Sequence, residues 1–374
     1  GESVFALAAD GSVWAWGANR HGQLADGSRD DRLTPVRLDF ASDVVQLCTH
    51  RLTHQGFPWV YALTREGDVW KWRPEQGESA VPARIPELSG IVEMSIEEGC
   101  AVALRNDRTV MAWHPNGSFT PPPPAKVEGL NNVVAIIAGE RSAALLADGT
   151  VATWFGRGDS SPDMPGAWRP GKYTAIPAQG LTGIRKVATG GGTIAALRDD
   201  GTVWAWGVGN RGQLGNGDDR HRLVPALIET VGTACSIHGG ENTVVAGRQD
   251  GSLTAWGDDA MGLNRLALSN DELRSGSPWD NALGLSGVTS VAVGWGSVVA
   301  LRSDGTVWAT GGGSGTEPTY ETRPERVRQL AGITAVASAH HTKYALDESG
   351  TVWAWGDAGR NQIGDGFILI PGPS

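Results

Sequence analysis

The segment DGTVWAWG at Asp200–Gly207 has near-copies, DGSVWAWG at Asp10–Gly17 and SGTVWAWG at Ser349–Gly356. An Asp-Gly pair supplies the positive backbone φ angles of a tight β-hairpin turn. Side chains alternate along the strand that follows, so Val and Ala point to one face and the two Trp residues to the other. Because both faces are apolar, both must be covered, as they are in a stack of face-packed sheets.

Weaker copies of this segment extend the repeat over the whole chain. Eight predicted hairpins are centred on Gly11, Gly67, Arg108, Gly149, Gly201, Gly251, Gly305 and Gly350. Their separations of 41 to 56 residues are typical of propeller blades. Five residues before the turn every copy has Ala, and four residues before it all copies except the sixth have Leu.

Most of the tryptophans belong to this repeat, because the hairpins hold twelve of the sixteen in the chain. Those at the fifth position after the turn are predicted to be structural residues buried between blades: Trp16, Trp72, Trp113, Trp154, Trp206, Trp256 and Trp355.

A short apolar strand precedes each hairpin after the first, and an outer strand that tolerates proline follows several of them, as at Pro35. Each period therefore predicts four antiparallel strands and no helix, which is a blade of an all-β propeller. We favour one eight-bladed domain over residues 1–374, with a seven-bladed ring plus an extra or truncated repeat as the alternative. The segment FILIPG from Phe367 is expected to supply the inner strand that the first copy lacks, so that the two chain termini close the ring.

The pattern AL..DGTVWAWG.N..GQLG.G resembles the regulator of chromosome condensation repeat family. The best copies begin at Thr193 and Lys343, and copies of varying quality cover essentially the whole chain. The resemblance implies a propeller, usually with seven blades in that family. It also implies a binding scaffold, an inhibitor, or a guanine nucleotide exchange factor such as the namesake of the family. The near-uniform VWAWG spelling resembles bacterial members.

Composition restricts the partners. The formal net charge of −10 argues against nucleic acid and anionic membranes, which require clustered Lys and Arg. Cys48, Cys100 and Cys235 are scattered, so they define neither a disulfide framework nor a metal site. No run approaches the ~18 apolar residues of a membrane span. We expect a soluble monomer that binds no metal. The compartment stays open, because a chain beginning at Gly1 could have lost a signal segment.

The motifs of catalysis are absent from the sequence: it has no GxSxG elbow, HExxH pair or Walker loop, and no cofactor is expected. Exposed aromatic residues in loops are typical of protein-binding surfaces. The four tryptophans outside the hairpins are therefore predicted to contact a partner: Trp59, Trp168, Trp279 and Trp295. The prediction is a non-catalytic protein-binding scaffold or inhibitor. The alternatives are an exchange factor for a small GTPase, and a lectin-like or enzymatic propeller.

Overall fold

A computed structural model of the chain describes most of the predicted hairpins. The described residues are 3–49, 59–73, 80–97, 100–115, 123–155, 172–190, 192–209, 212–217, 220–240, 243–257, 285–294, 297–309, 325–339, 342–356 and 367–369.

The described strands form eight sheets, one per sequence repeat, which we number as blades 1 to 8 in chain order. The strands of blades 1 to 4 are β1 (Ser3–Leu7), β2 (Val13–Gly17) and β3 (Arg32–Leu38); β4 (Val44–Thr49), β5 (Val60–Thr64), β6 (Val69–Trp72) and β7 (Ala83–Arg84); β8 (Ile91–Glu97), β9 (Cys100–Arg105), β10 (Val110–Trp113) and β11 (Ala125–Glu128); and β12 (Val133–Ile137), β13 (Arg141–Leu146), β14 (Val151–Phe155) and β16 (Ile176–Pro177). The short strand β15 (Tyr173–Thr174) adds to β11 as a fifth strand and runs parallel to it.

The strands of blades 5 to 8 follow the same order, from the inner edge of each sheet to its outer edge. They are β17 (Ile184–Gly190), β18 (Thr193–Arg198), β19 (Val203–Gly207) and β20 (Arg222–Leu227); β21 (Ser236–Gly240), β22 (Thr243–Gly247) and β23 (Leu253–Gly257); β24 (Val288–Gly294), β25 (Ser297–Arg302), β26 (Val307–Ala309) and β27 (Glu325–Arg326); and β28 (Ile333–Ala339), β29 (Thr342–Asp347), β30 (Thr351–Gly356) and β31 (Phe367–Leu369). Within the described ranges the only helix is one 3-10 turn, Glu229–Val231.

Packing between blades confirms the eight-bladed ring and removes the seven-bladed alternative. Trp16 of blade 1 packs against Tyr344 and Val352 of blade 8, so the first and last repeats are neighbours and the ring closes between them.

The role predicted for the C-terminal FILIPG segment was wrong. β31 pairs antiparallel with β30, with Trp353 opposite Phe367, and so forms the outer strand of blade 8. It does not supply an inner strand to blade 1, whose described sheet has three strands. The physical reason is that the outer edge of β30 presents unpaired backbone groups, as every third strand of a blade does, and β31 pairs with them.

The two faces of the VWAWG strand contact different neighbours, as the alternation predicted. Val203 and Ala205 of blade 5 pack with Trp256 of blade 6. On the opposite face, Trp206 of blade 5 packs against Val151 of blade 4. Six of the seven fifth-position tryptophans are at most 5% exposed, and the seventh, Trp355, is half-buried and packs against blade 7. Replacing such a buried Trp by Ala typically costs about 3–5 kcal/mol.

The third-position tryptophans have a second role, which involves the hairpin turn. In blade 5 the Asp200 Oδ1 atom accepts hydrogen bonds from the backbone N–H and the hydroxyl of Thr202, at 2.9 and 2.6 Å. The indole N–H of Trp204 in turn donates to the Thr202 hydroxyl at 3.2 Å. Blades 1 and 7 repeat this chain of bonds. In these three blades the hydrogen bonds of the DG(S/T)VW sequence thus link the turn to the strand that follows it.

In five blades the turn glycine also accepts a backbone hydrogen bond from the segment that enters the next blade. Gly67 has φ +89°, and a Cβ atom there would lie 2.8 Å from the Cα atom of Gly90, in the segment that enters blade 3. The Ile91 N–H donates to the Gly67 carbonyl at 3.1 Å. Gly350 of the last blade has a similar φ of +86°, but a Cβ atom there would meet no described atom within 4 Å.

This difference between two glycines of equal backbone conformation predicts unequal effects of a methyl group. Gly350→Ala should lower the free energy of unfolding by about 1–2 kcal/mol, which is the cost of a left-handed non-glycine residue. Gly67→Ala should lower it by a further 1–3 kcal/mol, because the methyl group overlaps the backbone of the next blade. Denaturant unfolding of the two variants measures the difference, and equal losses would contradict the contact.

Candidate functional site

A β-bulge near the start of the inner strand exposes one residue in each of blades 2 to 5, 7 and 8. Pairing with the second strand shifts between Val44 and Gln46 in blade 2, between Ile91 and Glu93 in blade 3, and between Val133 and Ala135 in blade 4. A bulge leaves its extra residue unpaired and turns it out of the ladder. The residues exposed in this way are Val45, Val92 and Val134, at 42%, 55% and 41%. We call these three residues the valine arc.

The bulges lie at the end of the ring where the hairpin turns are. The residue that precedes a bulge donates its backbone N–H to the turn glycine of the preceding blade: Val44 to Gly11 at 3.1 Å and Ile184 to Gly149 at 2.9 Å. We call this end the turn face. The valine arc is therefore at the inner edge of the turn face.

Polar side chains take the bulge position in later blades, and their polar groups bond to this chain. The hydroxyls of Thr289 and Thr334 donate to the carbonyls of Leu301 and Leu346 in the same blade, both at 3.2 Å. Arg185 reaches blade 6 instead, where its Nη2 atom lies 3.2 Å from the carbonyl oxygen of Cys235. The valine arc is thus an apolar segment of an otherwise polar ring of bulge residues.

Charged residues surround this ring at the hairpin turns. The turn carboxylates accept hydrogen bonds from the side chain and the backbone of the residue two positions later, which hold the pKa of each below its usual value: Asp10, Asp107, Asp148, Asp200, Asp250 and Asp304. Arginines lie beside two of them, with Arg302 Nη1 3.1 Å from Asp304 Oδ2 and Arg198 Nη1 3.6 Å from Asp200 Oδ2. An apolar centre with a charged rim is typical of protein interfaces.

Side chains of the inner strands form rungs that hold the valine-arc blades together. The Gln46 amide of blade 2 donates to the carbonyl of Met94 in blade 3 at 2.7 Å and accepts from its N–H at 3.0 Å. At the equivalent position in blade 3, the Glu93 carboxylate accepts from the backbone N–H of Ile136 in blade 4. Burial raises the pKa of Glu93 and outweighs that hydrogen bond.

A cavity of about 470 Å³ lies on the ring axis, lined by the inner strands of blades 4 to 8. Its polar side chains are Lys186, His238 and Ser338, and its other described lining residues are apolar or glycine. Burial lowers the pKa of Lys186, and the nearby Arg185 charge adds to this effect. Burial also lowers the pKa of His238, as does the charge of Lys186.

Of the tryptophans predicted to contact a partner, the structure describes only Trp59. This residue is 8% exposed, and its indole N–H donates to the carbonyl of Pro115 at 3.0 Å. Arg73 Cζ and Lys71 Nζ lie 4.3 and 4.9 Å from the centre of the ring. Trp59 thus packs against other residues of this chain. The predictions for Trp168, Trp279 and Trp295 concern residues outside the described ranges.

The valine arc and the basic residues of the axial cavity were not predicted from the sequence. A signal for the arc exists in the sequence, because each arc valine follows another β-branched residue at the start of an inner strand: Val44, Ile91 and Val133. Two adjacent apolar residues break the alternation of a half-buried strand, and a bulge is one way to accommodate them.

The described residues contain neither a cluster of metal ligands nor a membrane-spanning helix. Nowhere in the described ranges do three or more His, Cys, Asp or Glu side chains come together in a way that could hold a metal ion. None of the helical segments that the structure describes is long and apolar enough to cross a membrane.

The eight face-packed sheets define the chain as a β-propeller. It carries repeats described as "Regulator of chromosome condensation (RCC1) repeat" at residues 10–50 and 200–246, and a second model of that repeat matches residues 184–213. The chain is therefore a β-propeller that carries RCC1 repeats in these segments, which confirms the resemblance found in the sequence.

Curated relatives share this repeat at low identity. The chain is 28% identical over 241 residues to the "RCC1 domain-containing protein RUG3, mitochondrial" of Arabidopsis thaliana, covering 60% of this chain and 44% of the relative. It is 28% identical over 248 residues to the "Secretion-regulating guanine nucleotide exchange factor" of Bos taurus, covering 58% and 52%. The chain thus spans about half the length of these relatives.

Solved structures share the fold over nearly the whole chain. Human WBSCR16 is 18% identical with a TM-score of 0.62, covering 96% of this chain and 95% of that one. Prp20p from Saccharomyces cerevisiae is 18% identical with a TM-score of 0.59, covering 96% and 85%.

The hydrogen bond from Glu93 to blade 4 predicts that Glu93→Gln raises the free energy of unfolding by an amount that depends on pH. A glutamine can bond both the N–H and the carbonyl of Ile136, as Gln46 does with Met94, and carries no half-buried charge. We expect the variant to be about 1 kcal/mol more stable than wild type at pH 7. The raised pKa means that folded wild type holds the Glu93 proton more tightly than the unfolded chain. Its favourable contribution is present below the unfolded value of 4.5 and is lost as the pH rises through the folded value.

The advantage of Glu93→Gln should therefore shrink as the pH falls from 7 towards 4. Denaturant unfolding at several pH values measures it, with the exposed Glu128→Gln of the same blade as the matched control. An advantage independent of pH, or one equal to that of the control, would contradict the rung.

Proposed function

We propose that this propeller is a non-catalytic scaffold or inhibitor that binds a protein partner with its turn face. The observation that carries the proposal is the valine arc, three exposed apolar side chains on adjacent blades. They share the turn face with aspartates at the hairpin turns and, in blades 5 and 7, with the arginines beside those aspartates. A partner that fits this surface presents apolar side chains to the arc and charges of both signs to the rim. Burial of the arc excludes water, and the rim sets the orientation.

Rigid attachment of the three arc residues supports this role. The Gln46 and Glu93 rungs tie blade 2 to blade 3 and blade 3 to blade 4 through backbone hydrogen bonds. A preorganised surface loses little conformational entropy when it binds. Burial of the arc by a partner can therefore favour binding while little conformational entropy is lost.

A guanine nucleotide exchange factor for a small GTPase is the second candidate function. It is favoured by the similarity to the bovine exchange factor and to yeast Prp20p, whose structure was reported with "Its Binding Properties to Gsp1p and Histones". Exchange on a GTPase would be one form of protein binding, so the valine arc is compatible with both candidate functions.

The turn-face proposal is tested by a charge placed in the arc. Val92→Asp should remove captured proteins that both wild type and Val81→Asp retain, because Val81 is 77% exposed but lies in the outer part of blade 2. For an isolated partner we expect at least about tenfold weaker binding to Val92→Asp. Quantitative mass spectrometry of proteins captured from native lysate, followed by titration with the purified partner, measures both effects. Identical capture by the three proteins would refute the turn-face proposal.

A Trp168→Ala/Trp279→Ala variant in the same experiment tests the loop tryptophans separately. Loss of a partner from this variant but not from Val92→Asp would move the binding surface from the arc to those loops.

Nucleotide release decides between the two functions. Micromolar propeller is mixed with a Ran-like GTPase loaded with fluorescent GDP, and the fluorescence decay is followed in the presence of excess GTP. Accelerated decay that Val92→Asp abolishes assigns exchange to the turn face. Unchanged decay eliminates exchange on that GTPase and leaves the scaffold.

A further inference from the structure

The axial cavity has a composition unlike that of the turn face. Most of its described wall is aliphatic and comes from the inner strands, including Ile137 of blade 4, Val291 of blade 7 and Val336 of blade 8. Its volume of about 470 Å³ is in the range of small-molecule sites, which are mostly apolar with a few convergent polar groups.

Two basic side chains from neighbouring blades enter this apolar wall. Lys186 lies on β17 and His238 on β21, and no carboxylate is present among the described lining residues. This basic pair occurs in a chain whose formal net charge is −10. The local charge of the cavity is therefore opposite to that of the whole molecule.

The register of the inner strands shows what is unusual about Lys186. It pairs with Leu197 directly after the bulge, as Gln46 pairs with Leu63 and Glu93 with Leu104. In blades 2 and 3 the side chain at this position bonds to the backbone of the next blade. In blade 5 the position holds a cation that lines the axial cavity instead.

His238 lines the cavity from a second recurrent position, two residues further along the strand. It pairs with Val245, as Ser95 pairs with Val102 in blade 3. Ser95 is used between blades, since its hydroxyl oxygen accepts from the N–H of Ala138 at 2.9 Å. The blade 5 and blade 6 residues at these positions thus face a cavity where those of blade 3 face a neighbouring backbone.

We propose that the axial cavity binds a small aliphatic carboxylate, with its anionic group between Lys186 and His238 and its hydrocarbon chain against Ile137, Val291 and Val336. A carboxylate accepts charge-assisted hydrogen bonds from both basic groups. The aliphatic wall favours an attached hydrocarbon, because burial removes apolar surface of both from water. This site is independent of the turn-face proposal, because it uses neither the valine arc nor the rim.

Electrostatics supports a bound anion. The described charges near His238 are Lys186 and, next to it, Arg185, and both the burial of the imidazole and the Lys186 charge lower the pKa of His238. An anion between the two basic groups favours their charged forms. Binding should therefore raise the pKa of His238 and take up protons near neutral pH.

The test is calorimetry with hexanoate at pH 7, combined with an NMR titration of the histidine ring protons, which His238→Gln assigns. Lys186→Met and His238→Gln should each weaken hexanoate binding at least tenfold, with unchanged thermal midpoints showing that both variants fold. Arg185→Gln is the matched control, since it removes a positive charge one residue away and should change the affinity less than about threefold. Lys186→Arg should retain binding.

Two further ligands separate the charge from the hydrocarbon. Hexylammonium has the same chain with the opposite charge and should not bind, and inorganic phosphate should bind more weakly than hexanoate. Phosphate binding as tight as hexanoate binding would show an anion site without a carboxylate preference, and would overturn the proposal. Absence of heat and of any His238 shift at about 10 mM hexanoate would overturn it as well.

Discussion

The packing of one blade's Val and Ala face against the next blade's Trp face is the interaction on which the whole ring depends. Each VWAWG strand is apolar on both sides, so no blade can bury its surface alone. Trp256 of blade 6 packs against Val203 and Ala205 of blade 5, and Trp206 of blade 5 packs in the same way against blade 4. The same contact recurs where the chain ends meet, since Trp16 packs on Tyr344 and Val352. Closure therefore requires no exchanged strand, and this is why β31 can complete the outer edge of its own blade.

The packing of consecutive blades is accompanied by a regular geometry at the ring axis. Every turn glycine that bonds to the entry of the next blade places the start of that blade's inner strand at the same height, as the Gly11–Val44 and Gly67–Ile91 bonds do. A bulge at that height recurs in blades 2 to 5, 7 and 8 and turns one residue of each outward on the same face. The inner strands of blades 4 to 8 line the axial cavity. The surface proposed for a partner and the cavity proposed for a ligand both depend on where the hairpin turns place the inner strands.

The repeat made the ring predictable from sequence, because period-two alternation and the spacing of eight turns both express the same packing. What surrounds the repeat was less predictable. Trp59, next to a predicted strand, was predicted to contact a partner. It packs against Arg73 and donates to the carbonyl of Pro115, a contact between distant parts of the chain that no local pattern encodes. The bulges also escaped prediction, since a bulge is a property of two paired strands. Only the Val-Val and Ile-Val pairs at strand starts gave a local signal of them.

One inner-strand position shows how a repeat can acquire a site without changing its fold. Gln46, Glu93 and Lys186 occupy the same register, but the first two satisfy the backbone of the next blade and the third faces the cavity. This hydrogen bond between blades is not required everywhere, because the packing of tryptophans against the next blade already holds neighbours together. A side chain released from that structural use is free to carry charge into the axis. Among the described residues, a ligand site is therefore most expected where a repeat position does not make its usual hydrogen bond to the next blade. Lys186 is such a position.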